Sequence, residues 1–383
     1  SFIIGSFKLC GIFCQINGNQ LNQNQINIIK NSLNNRGPDS NGIYEDSDNK
    51  VFIMHTRLAI QDKSTKANQP IISENNRYVF AYNGEIYNTK FLKNYLIKEY
   101  GFDPKSESDT EILFQGMIKE GNKFLNKVDG IYAFILLDNF KKVVYAARDP
   151  LGIKPLIFTF HDYYGLLFSS DVNTISNLIS YPKISNQGLV DLMTLTFVPE
   201  PKTLFEDIFH LEPGILFGYN LRKEIIYKEK IIFKEAKNTN IKNYKNLLNK
   251  TSNFIEKGVL SQLIADDQIG LFMSSGIDSI LIMEFLRNKF KKVKNIFTLS
   301  WPSKANMQES QETEKTIAEK YSIENNLIDK HKFISPSPNL KKYIKVLKFM
   351  CIEGISDPAA LATYELSKYA NKKQIKVVLC GQG

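Results

Sequence analysis

The stretch Gln268–Phe290, QIGLFMSSGIDSILIMEFLRNKF, decides how the second half of the chain is read. Gln268–Met273 is an apolar run of strand length, and the periodicity after it predicts a helix from Ser279 to about Phe290. Between them lies Ser274-Ser275-Gly276-Ile277-Asp278-Ser279, a turn of small and hydroxyl-bearing residues. A helix N-terminus offers unpaired backbone N–H groups, so such a turn, with its serine hydroxyls, suits a phosphate or pyrophosphate. An acidic residue beside phosphates, here Asp278, can hold Mg²⁺. The loop has no lysine and lacks the G-x-x-x-x-G-K-[ST] spacing, which speaks against a Walker-type NTPase. Taken alone, it reads equally well as an ordinary strand-to-helix turn.

Working outward, Ile296–Trp301 reads as the next strand, followed by a helix within Gln311–Tyr321. Asp357 before Pro358 reads as an N-cap with proline at the first helical position. Lys376–Leu379 is a final strand. Strand alternating with helix implies a parallel, doubly wound sheet, whose ligands sit beyond the carboxyl ends of its strands. The last residues, Cys380-Gly381-Gln382-Gly383, form a second small-residue loop at such an end. The helix due after it is missing, so this domain is expected to be cut short.

Before a Lys- and Asn-rich stretch near Glu235–Lys245, expected to be a linker, the texture differs. Val51–His55, Tyr78–Tyr82, Ile131–Leu137, Lys142–Ala147 and Gly165–Ser169 read as strands. Asn83-Gly84 and Asp149-Pro150-Leu151-Gly152 read as turns. Helical periodicity shows at Gln23–Leu33 and Thr110–Glu120. This half is expected to be layered sheets with a few helices.

The length of 383 residues suggests two or three domains, and 43% hydrophobic with 23% charged residues is a globular balance. No apolar run reaches the ~18 residues of a membrane span. The net charge of +9 comes from scattered lysines, as in Lys289–Lys294 and Lys341–Lys348, a bias of composition. No nucleic-acid or membrane partner is expected. Cysteines 10, 14, 351 and 380 form no CxxC pair, and the four histidines lie far apart, so zinc spacing is absent. Sparse cysteine in a long chain points to the reducing cytoplasm. Cys14, Cys351 and Cys380 read as small buried hydrophobes.

Cys10 needs its neighbours to be judged. Cys10-Gly11-Ile12-Phe13, Arg36-Gly37-Pro38-Asp39, His55-Thr56-Arg57-Leu58-Ala59-Ile60, Asn83-Gly84-Glu85-Ile86-Tyr87-Asn88 and Ser108-Asp109-Thr110-Glu111 form an ordered polar series. Singly, each passes for a turn or a surface charge. Together they resemble the class II glutamine amidotransferase domain. With the Ser274–Ser279 loop and the Cys380–Gly383 end, the chain from Cys10 to Gly383 resembles the glutamine-hydrolysing asparagine synthetase family.

The resemblance implies an α+β N-terminal nucleophile hydrolase sandwich (αββα) over 10–228, a linker at 229–245 and an α/β ATP-pyrophosphatase-type domain over 246–383. It implies that Cys10 attacks the glutamine side-chain amide with its own α-amine as base, a thiol near pKa 8.5 beside an amine near 8. The Asn83 amide and Gly84 N–H match the oxyanion hole. Arg57 matches the clamp on the glutamine α-carboxylate, with Leu58 and Ile60 shaping the pocket; Glu85 and Asp109 match the groups holding its α-ammonium. Ser274, Gly276, Asp278 and Ser279 fall on the pyrophosphate loop, with Asp278 a Mg²⁺ contact. Phe272, Leu299, Cys380 and Gly381 fall where the family holds the adenosine. The implied reaction adenylates the aspartate side chain with ATP, and tunnelled ammonia then displaces AMP. A homodimer is the family-level expectation.

Three departures stand out. Ser275 replaces the first of two adjacent glycines, and Gln382 stands where a glutamate is common. Nine residues precede Cys10, and a peptide-bonded nitrogen cannot act as the base. Leu9 is therefore expected to be an alternative initiator, or Ser1–Leu9 a cleaved leader. Two other readings stay open at this point: an amidotransferase for another carboxylate, in polysaccharide or secondary-metabolite biosynthesis, and a non-catalytic fragment.

Overall fold

The computed structural model describes residues 10–59, 68–106, 108–180, 182–222, 224–231, 244–263, 268–287, 293–300, 308–335, 339–357 and 359–381. They fall into two compact units. One holds residues 10–231 together with Lys345–Asp357, and the other holds residues 244–344 and 359–381.

In chain order the first unit runs β1 (Gly11–Ile16), α1 (Gln23–Asn34), β2 (Ser40–Asp46), β3 (Val51–Arg57), β4 (Ile71–Ile72) and β5 (Tyr78–Ile86). Next come α2 (Thr89–Tyr100), α3 (Asp109–Glu120), α4 (Asn122–Leu125), β6 (Gly130–Asp138), β7 (Val143–Arg148), β8 (Ile157–His161) and β9 (Gly165–Ser169). It closes with α5 (Val172–Ile179), α6 (Asn186–Leu195), β10 (Phe209–His210), β11 (Ile215–Asn220) and β12 (Glu224–Lys230). Two antiparallel sheets result, ordered β10-β8-β9-β1-β3-β2 and β12-β11-β7-β6-β5-β4.

Successive strand residues point to opposite faces, and each sheet uses both. Ile12, Cys14 and Ile16 of β1 meet Ala133, Ile135 and Leu137 of β6 in the layer between the sheets. Phe13, on the other face of β1, packs with Leu33 of α1 and Ile175 of α5. Phe80 and Phe134 pack outward against Leu92 of α2 and Leu113 of α3. Three apolar layers between four layers of structure make an αββα sandwich. Burial on both faces explains why β1 reads as a continuous apolar run with only Gln15 polar, where a half-exposed antiparallel strand would alternate. α1 starts on a capping box, in which Asn22 and Gln25 each accept the other's backbone N–H.

The second unit begins with α7 (Tyr244–Ser261) and continues through β13 (Ile269–Phe272), α8 (Ile277–Arg287), β14 (Val293–Leu299), α9 (Gln308–Glu324), β15 (His331–Ile334), α11 (Ala359–Lys372) and β16 (Val377–Cys380), while α10 (Leu340–Ile352) starts in it and belongs to the first unit from Lys345 on. Its sheet is wholly parallel, ordered β15-β14-β13-β16. The order runs outward from β13 to β15, then reverses to β16. A crevice for a ligand therefore opens at the carboxyl ends of β13 and β16.

Two expectations need correction. Asn83-Gly84 is not a turn. Both residues lie inside β5, paired with Ala133 and Tyr132 of β6. The glycine serves close backbone approach, since a Cβ on Gly84 would lie 2.4 Å from the Ile131 carbonyl oxygen. The second correction concerns Lys345–Asp357, expected within 246–383, which packs in the first unit. Cys351 and Ile352 lie against the Phe13 cluster, Val198 N–H donates to the Gly354 carbonyl at 2.8 Å, and Ser356 N–H donates to that of Thr196 at 2.8 Å. The apolar face of that short segment finds its partner there. Trp301, Gln382, Ser1–Leu9 and most of the expected linker lie outside the described residues.

Candidate functional site

Cys10 stands just before β1, whose two neighbours, β3 and β9, hold it in the middle of its sheet. The Arg36 Nε donates to the Cys10 carbonyl at 3.3 Å. The thiol points at the Leu58 carbonyl, 3.8 Å away. The residue is partly exposed, yet its surroundings desolvate the sulfur and push the thiol up to about 11, the nearby Lys154 and Arg57 cations pulling only partly against this. Arg57 closes β3 with 6% of its surface exposed, and its Nη1 donates to Asn68 Oδ1 at 3.1 Å. The loop before β2 lies directly on that strand: a Cβ on Gly37 would sit 2.3 Å from the Thr56 carbonyl oxygen. Ile60 lies outside the described residues.

β5 carries the next group. Asn83 is 2% exposed, and its Nδ2 has no hydrogen-bond partner among the described residues. Buried amide donors are almost always satisfied, so an open one marks a place for an incoming acceptor. Tyr82 and Glu85, on either side of Asn83-Gly84, both lie near Cys10, and the Glu85 carboxylate helps to raise its thiol. Asp109, the first residue of α3, accepts from the Tyr82 hydroxyl at 2.7 Å and from Ile86 N–H at 3.0 Å through one oxygen. Burial raises its carboxyl. Asp109 thus ties α3 to the strand that presents Asn83, with its second oxygen 3.5 Å from Thr110 Oγ1.

The structure adds residues in and around the Asp149–Gly152 turn that the sequence does not single out. Lys154 is buried, its ammonium pulled down by desolvation and supported by Glu85 and Cys10. Asp149 shapes the loop before it, accepting from the N–H groups of Leu151, Ile153 and Lys154 at 3.1, 3.0 and 2.9 Å. Arg148 grips Glu200 at 2.7 and 2.8 Å, a bidentate pair that holds the loop from the other side. The available signal was a lysine set in the apolar run Leu156-Ile157-Phe158 and its preceding Gly152-Ile153.

Glu353, from the late segment, accepts from the N–H and Nδ2 of Asn173 at 3.3 and 2.5 Å. Burial, with Asp171 nearby, pushes its carboxyl up to about 7, against the pull of Arg36, the residue that holds the Cys10 carbonyl. A carboxyl raised in the folded state binds protons that the unfolded chain has released, so stability falls as pH rises from about 4.5 to about 7. Glu353→Gln is therefore expected to raise the melting temperature relative to wild type more at pH 8 than at pH 5. An equal difference at both pH values would refute the assignment.

In the second unit the Ser279 hydroxyl is the hub of the loop after β13. It accepts from Ser274 N–H at 3.1 Å and lies 3.0 Å from the carbonyl oxygens of Ser274 and Gly276. Gly276 N–H donates to Ser274 Oγ at 3.1 Å. This wraps the loop around the start of α8 and leaves the Asp278 carboxylate exposed in its first turn. Gly381 arrives from β16, and a Cβ there would lie 2.7 Å from Ser279 N and 2.9 Å from Asp278 Cβ. The two small-residue loops are therefore brought together. Leu299 ends β14. Phe272 packs its ring edge-on to Phe297, with Cys380 partly buried beside this cluster. Among the described residues no cluster of three or more His, Cys, Asp or Glu could cage a metal. A lone carboxylate beside phosphates fits Mg²⁺, which keeps waters and binds through one or two carboxylates. No helix among the described residues is long and apolar enough to cross a membrane.

Residues 9–229 match the family model described as glutamine amidotransferase domain, and residues 251–383 the one described as asparagine synthase. The chain is 30% identical to asparagine synthetase [glutamine-hydrolyzing] 1 of Bacillus subtilis, over 98% of this chain and 58% of that protein. It is 26% identical to the putative asparagine synthetase [glutamine-hydrolyzing] 2 of Methanocaldococcus jannaschii, over 98% and 74%, and 29% identical to the probable enzyme of Acanthamoeba polyphaga mimivirus, over 72% and 48%. The chain thus spans between 48% and 74% of the length of these relatives. Both domains, in this order along one chain, place it in the glutamine-hydrolysing asparagine synthetase family.

Proposed function

We propose that the chain hydrolyses glutamine at Cys10 and uses the ammonia, with ATP, to turn the aspartate side-chain carboxylate into the asparagine amide. The observation that carries the first half is the buried, open Asn83 Nδ2 on the strand beside Cys10. The Cys10 sulfur adds to the amide carbon, and Asn83 Nδ2 with Gly84 N–H receives the oxyanion. Ammonia leaves with the proton taken from the thiol, and water then splits the thioester to glutamate. Arg57 faces the substrate α-carboxylate, with Leu58 lining the pocket, while Glu85 and Asp109 face its α-ammonium.

In the second unit, Ser274, Gly276 and Ser279 hold the pyrophosphate of ATP, with Phe272, Leu299, Cys380 and Gly381 around the adenosine. Asp278 would hold Mg²⁺, which supplies charge neutralisation on the phosphates. The aspartate carboxylate displaces pyrophosphate from the α-phosphorus, and ammonia then displaces AMP. The reading also takes the protein as cytoplasmic and homodimeric, with Cys10, Cys14, Cys351 and Cys380 as free thiols. The test is AMP release dependent on ATP and glutamine, screened over aspartate and other carboxylates. Release with aspartate is expected. Release with another acid alone would move the acceptor assignment.

A further inference from the structure

Behind the phosphate loop lies a buried polar chain that the reaction scheme does not use. The Thr298 hydroxyl of β14 sits 2.6 Å from the Met273 carbonyl oxygen and 2.7 Å from His331 Nε2. On the far side of the ring, His331 Nδ1 lies 2.6 Å from the hydroxyl of Ser322 in α9. Thr298, Ser322 and His331 are 3%, 0% and 3% exposed, so water does not compete for these contacts.

The proton positions follow from one constraint. A carbonyl oxygen only accepts, so Thr298 spends its single proton on Met273. Thr298 must then accept from His331, which puts the ring proton on Nε2. The neutral Nδ1 accepts from Ser322. Burial pushes His331 down to about 4, so the ring stays neutral and the order of donors is fixed at ordinary pH. Phe333 lies against the ring, centroids 4.2 Å apart.

Met273 is the last residue before the phosphate loop. Its N–H donates to the Phe297 carbonyl at 2.9 Å, so both its backbone groups are held from β14. We propose that His331 is a positioning residue for ATP: through Thr298 it fixes the Met273 peptide and thereby the approach of the Ser274–Ser279 loop to the phosphates. The inference rests on the reading of this loop as the ATP site. It acts at a distance from the substrate, so its mark is nucleotide affinity.

Titration of the full chain with the α,β-methylene analogue of ATP and Mg²⁺ tests it. Thr298→Val, nearly isosteric and lacking only the hydroxyl, is expected to weaken binding about tenfold, and His331→Gln about as much. Residues in one chain of hydrogen bonds are not additive, so the double variant should be no weaker than either single one. Thr298→Ser, which keeps the hydroxyl, should bind within about twofold of wild type. Variants that melt at lower temperature yet bind the analogue like wild type would overturn the role, as would losses that multiply in the double variant. A wild-type chain that does not bind the analogue overturns the ATP reading, and this role with it.

Discussion

A form of the chain in which Cys10 carries a free α-amine is expected to hydrolyse glutamine at least about a hundredfold faster than a form retaining Ser1–Leu9. Burial pushes the Cys10 thiol up to about 11, so the sulfur is protonated at pH 7. The sulfur needs a base at contact distance, and an α-amine titrating near 8 is matched to that task. Once that nitrogen is in a peptide bond it has no lone pair to offer. Lys154 is the competing base: it is buried, its ammonium is pulled down, and it interacts with Cys10. Steady-state glutaminase rates of the two forms decide between them. Equal rates would move the base to Lys154 and sink the amine assignment. Wild-type rates in Lys154→Met, with Cys10 at the terminus, would leave the amine as the base.

The second large effect belongs to Asn83. Replacing it with alanine is expected to lower glutaminase kcat by about 10²–10³, the cost of one oxyanion donor, about 3–4 kcal/mol. The same change should leave the melting temperature unchanged or slightly raised. Its Nδ2 is buried without a partner among the described residues, so removing it breaks no hydrogen bond of that atom and relieves an unsatisfied donor. This opposite movement of catalysis and stability is the signature. A rise in KM at constant kcat would show instead that Asn83 only binds the ground state.

The fold class was legible because its signals are local and repeated. Gly165–Ser169 has the same bounds as sequence reading gives it, and the strand-loop-helix of Gln268–Phe290 resolves into β13 and α8 with boundaries shifted by one to three residues. Asn83-Gly84 failed because the dipeptide that favours a two-residue hairpin turn also suits a strand pressed against its neighbour's backbone. Only the position of Ile131 separates these cases. His331 was weighed as a zinc ligand and set aside for spacing, while its partners, Thr298 and Ser322, come from two other elements. Lys154 looked like any other lysine in a lysine-rich chain. Burial is a property of the assembled layers, and the apolar run beside it is its one local sign.

The placement of Lys345–Asp357 has a consequence for how the chain comes off the ribosome. The last strand of the first unit ends at Lys230, but the layer around Phe13 is completed by Cys351 and Ile352. At typical elongation rates roughly 6–24 s separate the two. Through that interval the first unit carries an uncovered apolar patch and an Asn173 without its glutamate. Nascent chains stalled shortly before Lys345 should therefore recruit chaperones that chains released after Asp357 do not.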